Sequence, residues 1–266
     1  MGYNMNEIVG KYNFLFLTLD TLRFDAASEC MKAGELPNMK KLFGDWEKRH
    51  TPGNFTYAAH HAFFAGFLPT PAKPGKHERL FALSFDGSET TTASTYVFEN
   101  ENIIQGFARQ GYRTICIGGV GFFNKRNAIG STLPNMFSES HWDTSLGVTD
   151  KNSTENQFLL ACKLIKDLDE KFFLFINLSA LHQPNCFYLD GAEKDCYESH
   201  KAALRYIDSC LPALIEAVKK KGSCFCIFTS DHGTAYGEDN YSGHRLSHET
   251  TWNVPYKEFV LSAEDL

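Results

Sequence analysis

Asp231 and His232 close the apolar run Phe225-Cys226-Ile227-Phe228-Thr229 and are followed by Gly233. A carboxylate and an imidazole are both good ligands for a divalent cation, and adjacency on a tight turn lets both face one ion. Asp20 ends a second apolar run, residues 13–19, in the same way. Two acids at the ends of two buried strands could share a cation. Simpler roles compete: Asp20 could cap a helix, and Asp231-His232-Gly233 could be a solvated turn. Thr56 stands just before the compact, helix-compatible stretch 57–66. It is either an N-capping hydroxyl or a nucleophile whose helix N-terminus attracts the anionic group under attack. A third polar cluster, residues 179–184, holds His182, which taken alone reads as a structural histidine.

These groups need strands to carry them. Residues 13–19, 172–178 and 223–229 are short, apolar and rich in β-formers, as strands covered on both faces are, and residues 112–117 make a fourth. Helical patterns fill residues 36–46, 102–110, 153–169 and 197–221, and Pro212 predicts a kink or break in the last. The alternation predicts an α/β fold: a doubly wound, mainly parallel sheet with helices on both faces. In such sheets ligands bind beyond the carboxyl ends of the strands, where the polar clusters fall. No repeat or boundary is visible, so residues 1–266 read as one domain. Residues 69–94 are rich in Pro, Gly, Ser and Thr yet keep Leu80, Phe81, Leu83 and Phe85, an ordered excursion. The glycine-rich stretch 118–121 lacks the Lys-Ser/Thr of a phosphate loop, and Lys125 and Arg126 beside it read as solvated.

The net charge of -6 argues against nucleic acid or an anionic membrane as partner. The first apolar run, 14–19, is too short for a signal-peptide core or a membrane span, so a cytoplasmic location is expected. Eight scattered cysteines fit free thiols in a reducing compartment. Cys224 and Cys226 are expected on opposite sides of a strand, and so not as a metal pair.

In this order the clusters resemble the alkaline phosphatase superfamily, especially its sulfatase-like and phosphodiesterase branches. The shared features are a strand-end acid near the N-terminus (Leu19-Asp20-Thr21-Leu22-Arg23), a nucleophile signature, a His-x-Pro element (His182-Gln183-Pro184) and Ser-Asp-His-Gly (Ser230 to Gly233). In the nucleophile signature Thr56 takes the nucleophile position, His60 the basic one, Gly66 the Gly and Pro69 the Pro, with Ala58 where Pro is usual. Gly243-His244, Glu249 and Val254-Pro255 keep the spacing of a last sulfatase element, with His244 replacing Lys. The runs 51–64 and 179–185 look like a small stand-alone bacterial hydrolase subfamily whose members sit in gene clusters associated with modified peptides. Sulfatases of the superfamily oxidise a Cys or Ser to formylglycine, which Thr56 cannot become. A threonine here is found in the phosphodiesterase and phosphotransferase branches.

The resemblance implies a metal-dependent hydrolase of phosphate esters that works through a phosphothreonine at Thr56. Asp20, Thr56, Asp231 and His232 would hold one divalent cation (Mn, Zn or Mg), no element for a second metal being present. His182 and His244 would contact the transferring group or the leaving group. The expected partner is a small-molecule or peptide-linked phosphate ester. His60, His61, Glu238, Asp239 and His248 are candidates to hold the ligands in place. The alternatives are a phosphotransferase, a sulfatase-like enzyme, and a non-catalytic binding protein with the same fold.

Overall fold

The computed structural model describes residues 2–66, 81–82, 96–97 and 101–263. Seven strands form one sheet: β1 (Asn13–Leu19), β2 (Glu47–His50), β3 (Arg113–Ile117), β4 (Glu139–His141), β5 (Phe172–Leu178), β6 (Cys224–Thr229) and β7 (Asn253–Leu261). Their spatial order is β2-β7-β6-β1-β5-β3-β4. Strands β6, β1, β5, β3 and β4 run parallel. β7 runs antiparallel to both β6 and β2. The expected mainly parallel α/β sheet is therefore present, with β1 at its centre.

The longer helices are α1 (Phe24–Lys32), α2 (Pro37–Phe43), α3 (Thr56–Ala65), α4 (Ile103–Arg109), α5 (Ser153–Lys166) and α6 (Tyr197–Lys220). They cover both faces because successive strand side chains alternate. On β1, Leu15, Leu17 and Leu19 pack with Cys30 of α1, Met39 of α2, Phe158 of α5 and Leu204 of α6. Phe14 points the other way, into an aromatic cluster with Phe64 of α3, Phe107 of α4, Phe173 and Phe225.

Register brings the clusters together. Thr18 pairs with Thr229 on β6, and Leu19 with Leu178 on β5. Asp20, Ser179 and Ser230 thus leave the sheet at neighbouring points on one edge. β2 ends and β7 begins at that edge, adding Thr51 and Thr250.

Three expectations change. α6 runs unbroken through Pro212. Proline cannot donate to the carbonyl four residues earlier, and here the Asn38 amide donates to the Asp208 carbonyl at 3.0 Å instead. Cys224 and Cys226 lie on one face, with sulfurs 3.9 Å apart in the core, because residues two apart share a side of a strand. The helix expected over 36–46 spans only Pro37–Phe43, closed by Gly44 at φ 78°. The excursion 69–94 lies outside the described residues except for Phe81–Ala82, which pairs in parallel with Tyr96–Val97.

Candidate metal centre

Asp20, Asp231 and His232 are fully buried. A ligand atom of each lies within 4.8 Å of the others. Asp20 caps no helix: α1 begins at Phe24, with Arg23 before it. The chain turns straight after Asp20, at Thr21 with φ 67°. That is a costly conformation for a β-branched residue, and it aims the Thr21 N–H at Asp231 Oδ1, 3.2 Å away. The His232 N–H donates to the same oxygen at 2.9 Å. On Asp20, Oδ2 accepts from the Asn177 amide at 3.0 Å. Each carboxylate thus has one oxygen held by protein donors. The other oxygen, Asp20 Oδ1 or Asp231 Oδ2, is buried with no partner.

The third ligand is oriented the same way. His232 Nδ1 donates to the Gly233 carbonyl at 2.9 Å, which leaves Nε2 with its lone pair toward the carboxylates, 3.5 Å from Asp231 Oδ2. Gly233 is required here: a Cβ would sit 1.8 Å from the Thr250 carbonyl oxygen. The Thr51 hydroxyl donates to the Asp231 carbonyl and fixes the same turn from the β2 side.

Thr56 is the first residue of α3, after Phe55, and no side chain caps the helix. Its hydroxyl is therefore free for other work, and Oγ1 lies 3.2 Å from His232 Nε2. The structure brings Asp20, Thr56, Asp231 and His232 into one buried cluster at an uncapped helix N-terminus.

Electrostatics argue for a cation. Burial raises Asp20 and Asp231 to about 7, and the Asp231 charge adds to the rise at Asp20. Burial lowers His232. Two buried acids cannot both ionise without a countercharge. Two bare carboxylate oxygens, an aimed imidazole nitrogen and a hydroxyl are a donor set that fits a divalent ion.

His182 and His244 flank the centre. The His244 ring lies 4.7 Å from that of His232 and 6.1 Å from that of His182. His182 Nδ1 donates to the Gln183 carbonyl at 2.7 Å, and His244 Nδ1 is buried with no partner. Burial, with His232 and His182 nearby, lowers His244 to about 4.

The remaining candidates divide. His60 is buried under Thr56, with Nδ1 2.7 Å from the Thr56 carbonyl, and burial lowers it to about 3. Glu238 accepts from Arg23 at 2.5 Å. Arg23, buried, is forked onto Asp25 and ties the Asp20 turn to the 231–238 loop. His61 packs on Tyr57, Asp239 is exposed, and His248 caps the short helix Glu249–Trp252; none touches the centre. Lys125 donates to the Ser140 carbonyl and Arg126 stacks over Trp142. Thr18, Thr51 and Asn177 were not singled out by sequence reasoning. Two of them left a signal: Thr18 and Asn177 are polar residues inside strands that are otherwise apolar.

A central, mainly parallel sheet with a buried cluster of possible metal ligands at its carboxyl edge defines the class: an α/β fold with a candidate cation site. The sulfatase family model matches residues 13–258, and the chain belongs to that family. No curated protein matches the chain by sequence. Solved structures share the fold. The C-terminal periplasmic domain of phosphoethanolamine transferase EptC from Campylobacter jejuni is 15% identical with a TM-score of 0.65, over 94% of this chain and 79% of that one. The corresponding EcEptC domain from Escherichia coli, solved in complex with Zn, is 12% identical with a TM-score of 0.64, over 95% and 73%. The lipoteichoic acid synthase LtaP from Listeria monocytogenes is 13% identical with a TM-score of 0.61, over 93% and 65%. Among the described residues no helix is long and apolar enough to cross a membrane.

Proposed function

We propose that the protein is a metal-dependent phosphoesterase that works through a phosphothreonine at Thr56. One observation carries the reading: the Thr56 hydroxyl stands 3.2 Å from His232 Nε2, beside two buried carboxylate oxygens without partners. Asp20, Asp231, His232 and Thr56 would hold one divalent cation, and zinc is favoured by the zinc complex of the EcEptC domain. When bound, such an ion supplies charge stabilisation and lowers the pKa of a coordinated hydroxyl, as it takes water from about 15.7 to about 7 in the best cases.

The chain's own groups do the rest. Thr56 Oγ1 attacks phosphorus, forming one P–O bond while the bond to the leaving alcohol breaks. The proton lost by Thr56 balances the one the leaving alkoxide needs. His244, neutral at pH 7, can carry a proton at its unpartnered Nδ1. The uncapped N–H groups of α3 and His182 face the anionic oxygens. In the second half, water attacks the phosphothreonine, its proton returns through the same imidazole, and the Thr56 hydroxyl is restored. An alcohol in place of water makes the reaction a transfer. That reading is favoured by the phosphoethanolamine transferases and the lipoteichoic acid synthase among the structural neighbours. Thr56 cannot supply the formylglycine of the usual sulfatase route, so phosphate rather than sulfate is the expected ester. The substrate is a small-molecule or peptide-linked phosphate ester, handled within one domain. Eight free cysteines support a reducing, cytoplasmic setting.

The test compares wild type with Thr56→Ala on an aryl phosphodiester, an aryl phosphomonoester and an aryl sulfate, with metal content measured. Metal-dependent phosphoester turnover that falls roughly a thousandfold or more in the variant supports the reading. Turnover only with added alcohol selects transfer. Inert, metal-free wild type overturns it in favour of a binding protein.

A further inference from the structure

Resting on the cation site just proposed, we infer that Asn177, Thr18 and His60 form a positioning chain tying one ligand, Asp20, to the turn that carries another, Thr56. The hydrogen bonds run without a gap. One N–H of the Asn177 amide donates to Asp20 Oδ2 at 3.0 Å, and the amide also donates to Thr18 Oγ1 at 3.3 Å. Thr18 Oγ1 lies 3.2 Å from His60 Nε2, and His60 Nδ1 lies 2.7 Å from the Thr56 carbonyl. A carbonyl can only accept, so His60 carries its proton on Nδ1 and Thr18 donates to Nε2. Every donor in the chain therefore has a fixed direction.

The chain is also anchored. Asn177 Oδ1 accepts from the Val120 N–H at 3.0 Å, so the amide cannot flip without placing its NH₂ against that N–H. All three side chains are fully buried. Their joint effect is to choose which Asp20 oxygen stays bare and to set the depth of the first turn of α3 relative to it. Polar residues within buried strands are costly unless satisfied, and here each is satisfied by its neighbour in the chain. Thr18 is the middle link, so its hydroxyl joins the two halves.

The experiment titrates zinc into the metal-free full-length protein by calorimetry, for wild type, Thr18→Val, Thr18→Ser and Asn177→Leu. Thr18→Val keeps the shape and removes the link. It should weaken zinc binding about tenfold, the usual scale for a group that orients a ligand, while Thr18→Ser restores wild-type affinity. Asn177→Leu should weaken it further, and circular dichroism checks that it folds. On an aryl phosphodiester, Thr18→Val should lower kcat more than it changes KM. Zinc affinity within twofold of wild type in Thr18→Val overturns the chain while leaving the metal centre standing. Wild type that takes up no zinc, manganese or magnesium overturns the metal centre itself.

Discussion

Three buried acids among the described residues are handled in two opposite ways. Asp208, in α6, accepts from the Asn38 and Met39 backbone N–H groups at 3.1 and 2.7 Å and from the Asn38 amide at 3.0 Å. Both its oxygens are used, and together they fasten the start of α2 to α6 at the turn where Pro212 leaves a carbonyl free. Asp20 and Asp231 keep one oxygen each without a partner. A satisfied buried acid holds structure together. A half-satisfied pair stores an unmet demand for positive charge.

That contrast predicts opposite signs for similar substitutions. Asp208→Ala strands two N–H groups at the start of α2 and should cost about 3 kcal/mol in urea unfolding, leaving zinc affinity unchanged. A loss under about 1 kcal/mol would show that the acid fastens nothing. Next comes acidity. Burial lowers His200 to about 3, with Arg23 adding to the shift. The unfolded histidine takes its proton near 6.5, so stability is full above that pH and is lost as pH falls from about 6.5 toward 3. His200 alone should contribute roughly 2 kcal/mol of that loss between pH 7 and 5, and His200→Gln should lessen the slope by about that amount. The smallest effect carries the reversed sign. Asp20→Asn should stabilise the metal-free protein by about 1 kcal/mol, since the new amide can donate to Asp231, yet abolish the rise in Tm on adding zinc. A destabilised metal-free variant that still responds to zinc would erase the contrast.

The local parts of this architecture were plain in the chain. Residues 13–19 and 172–178 match β1 and β5 because unbroken apolar, β-rich runs have few other uses. Asp20, Thr56, Asp231 and His232 stood out because they end such runs or begin a helix. What stayed hidden depends on pairing across long separations. The antiparallel course of β7 follows from its partners β6 and β2, and nothing within residues 253–261 states it. Thr51 reaches Asp231 only because β2 ends at the same edge as β6. Thr18 and Asn177 were readable in principle, as polar residues in mostly apolar strands, but their partnership needs the register of β1 against β5. The misplacement of Cys224 and Cys226 was an error of period and needed no structure to correct.

The adjacency of β1 and β6 has a consequence for how the protein is made. Asn13 to Thr18 pair with Cys224 to Thr229, more than 200 positions later. A ribosome must therefore release most of the polypeptide before Asp20 can meet Asp231 and His232. Loading of the proposed metal centre would thus be a late event in biogenesis, and a chain cut short before Asp231 should take up no ion.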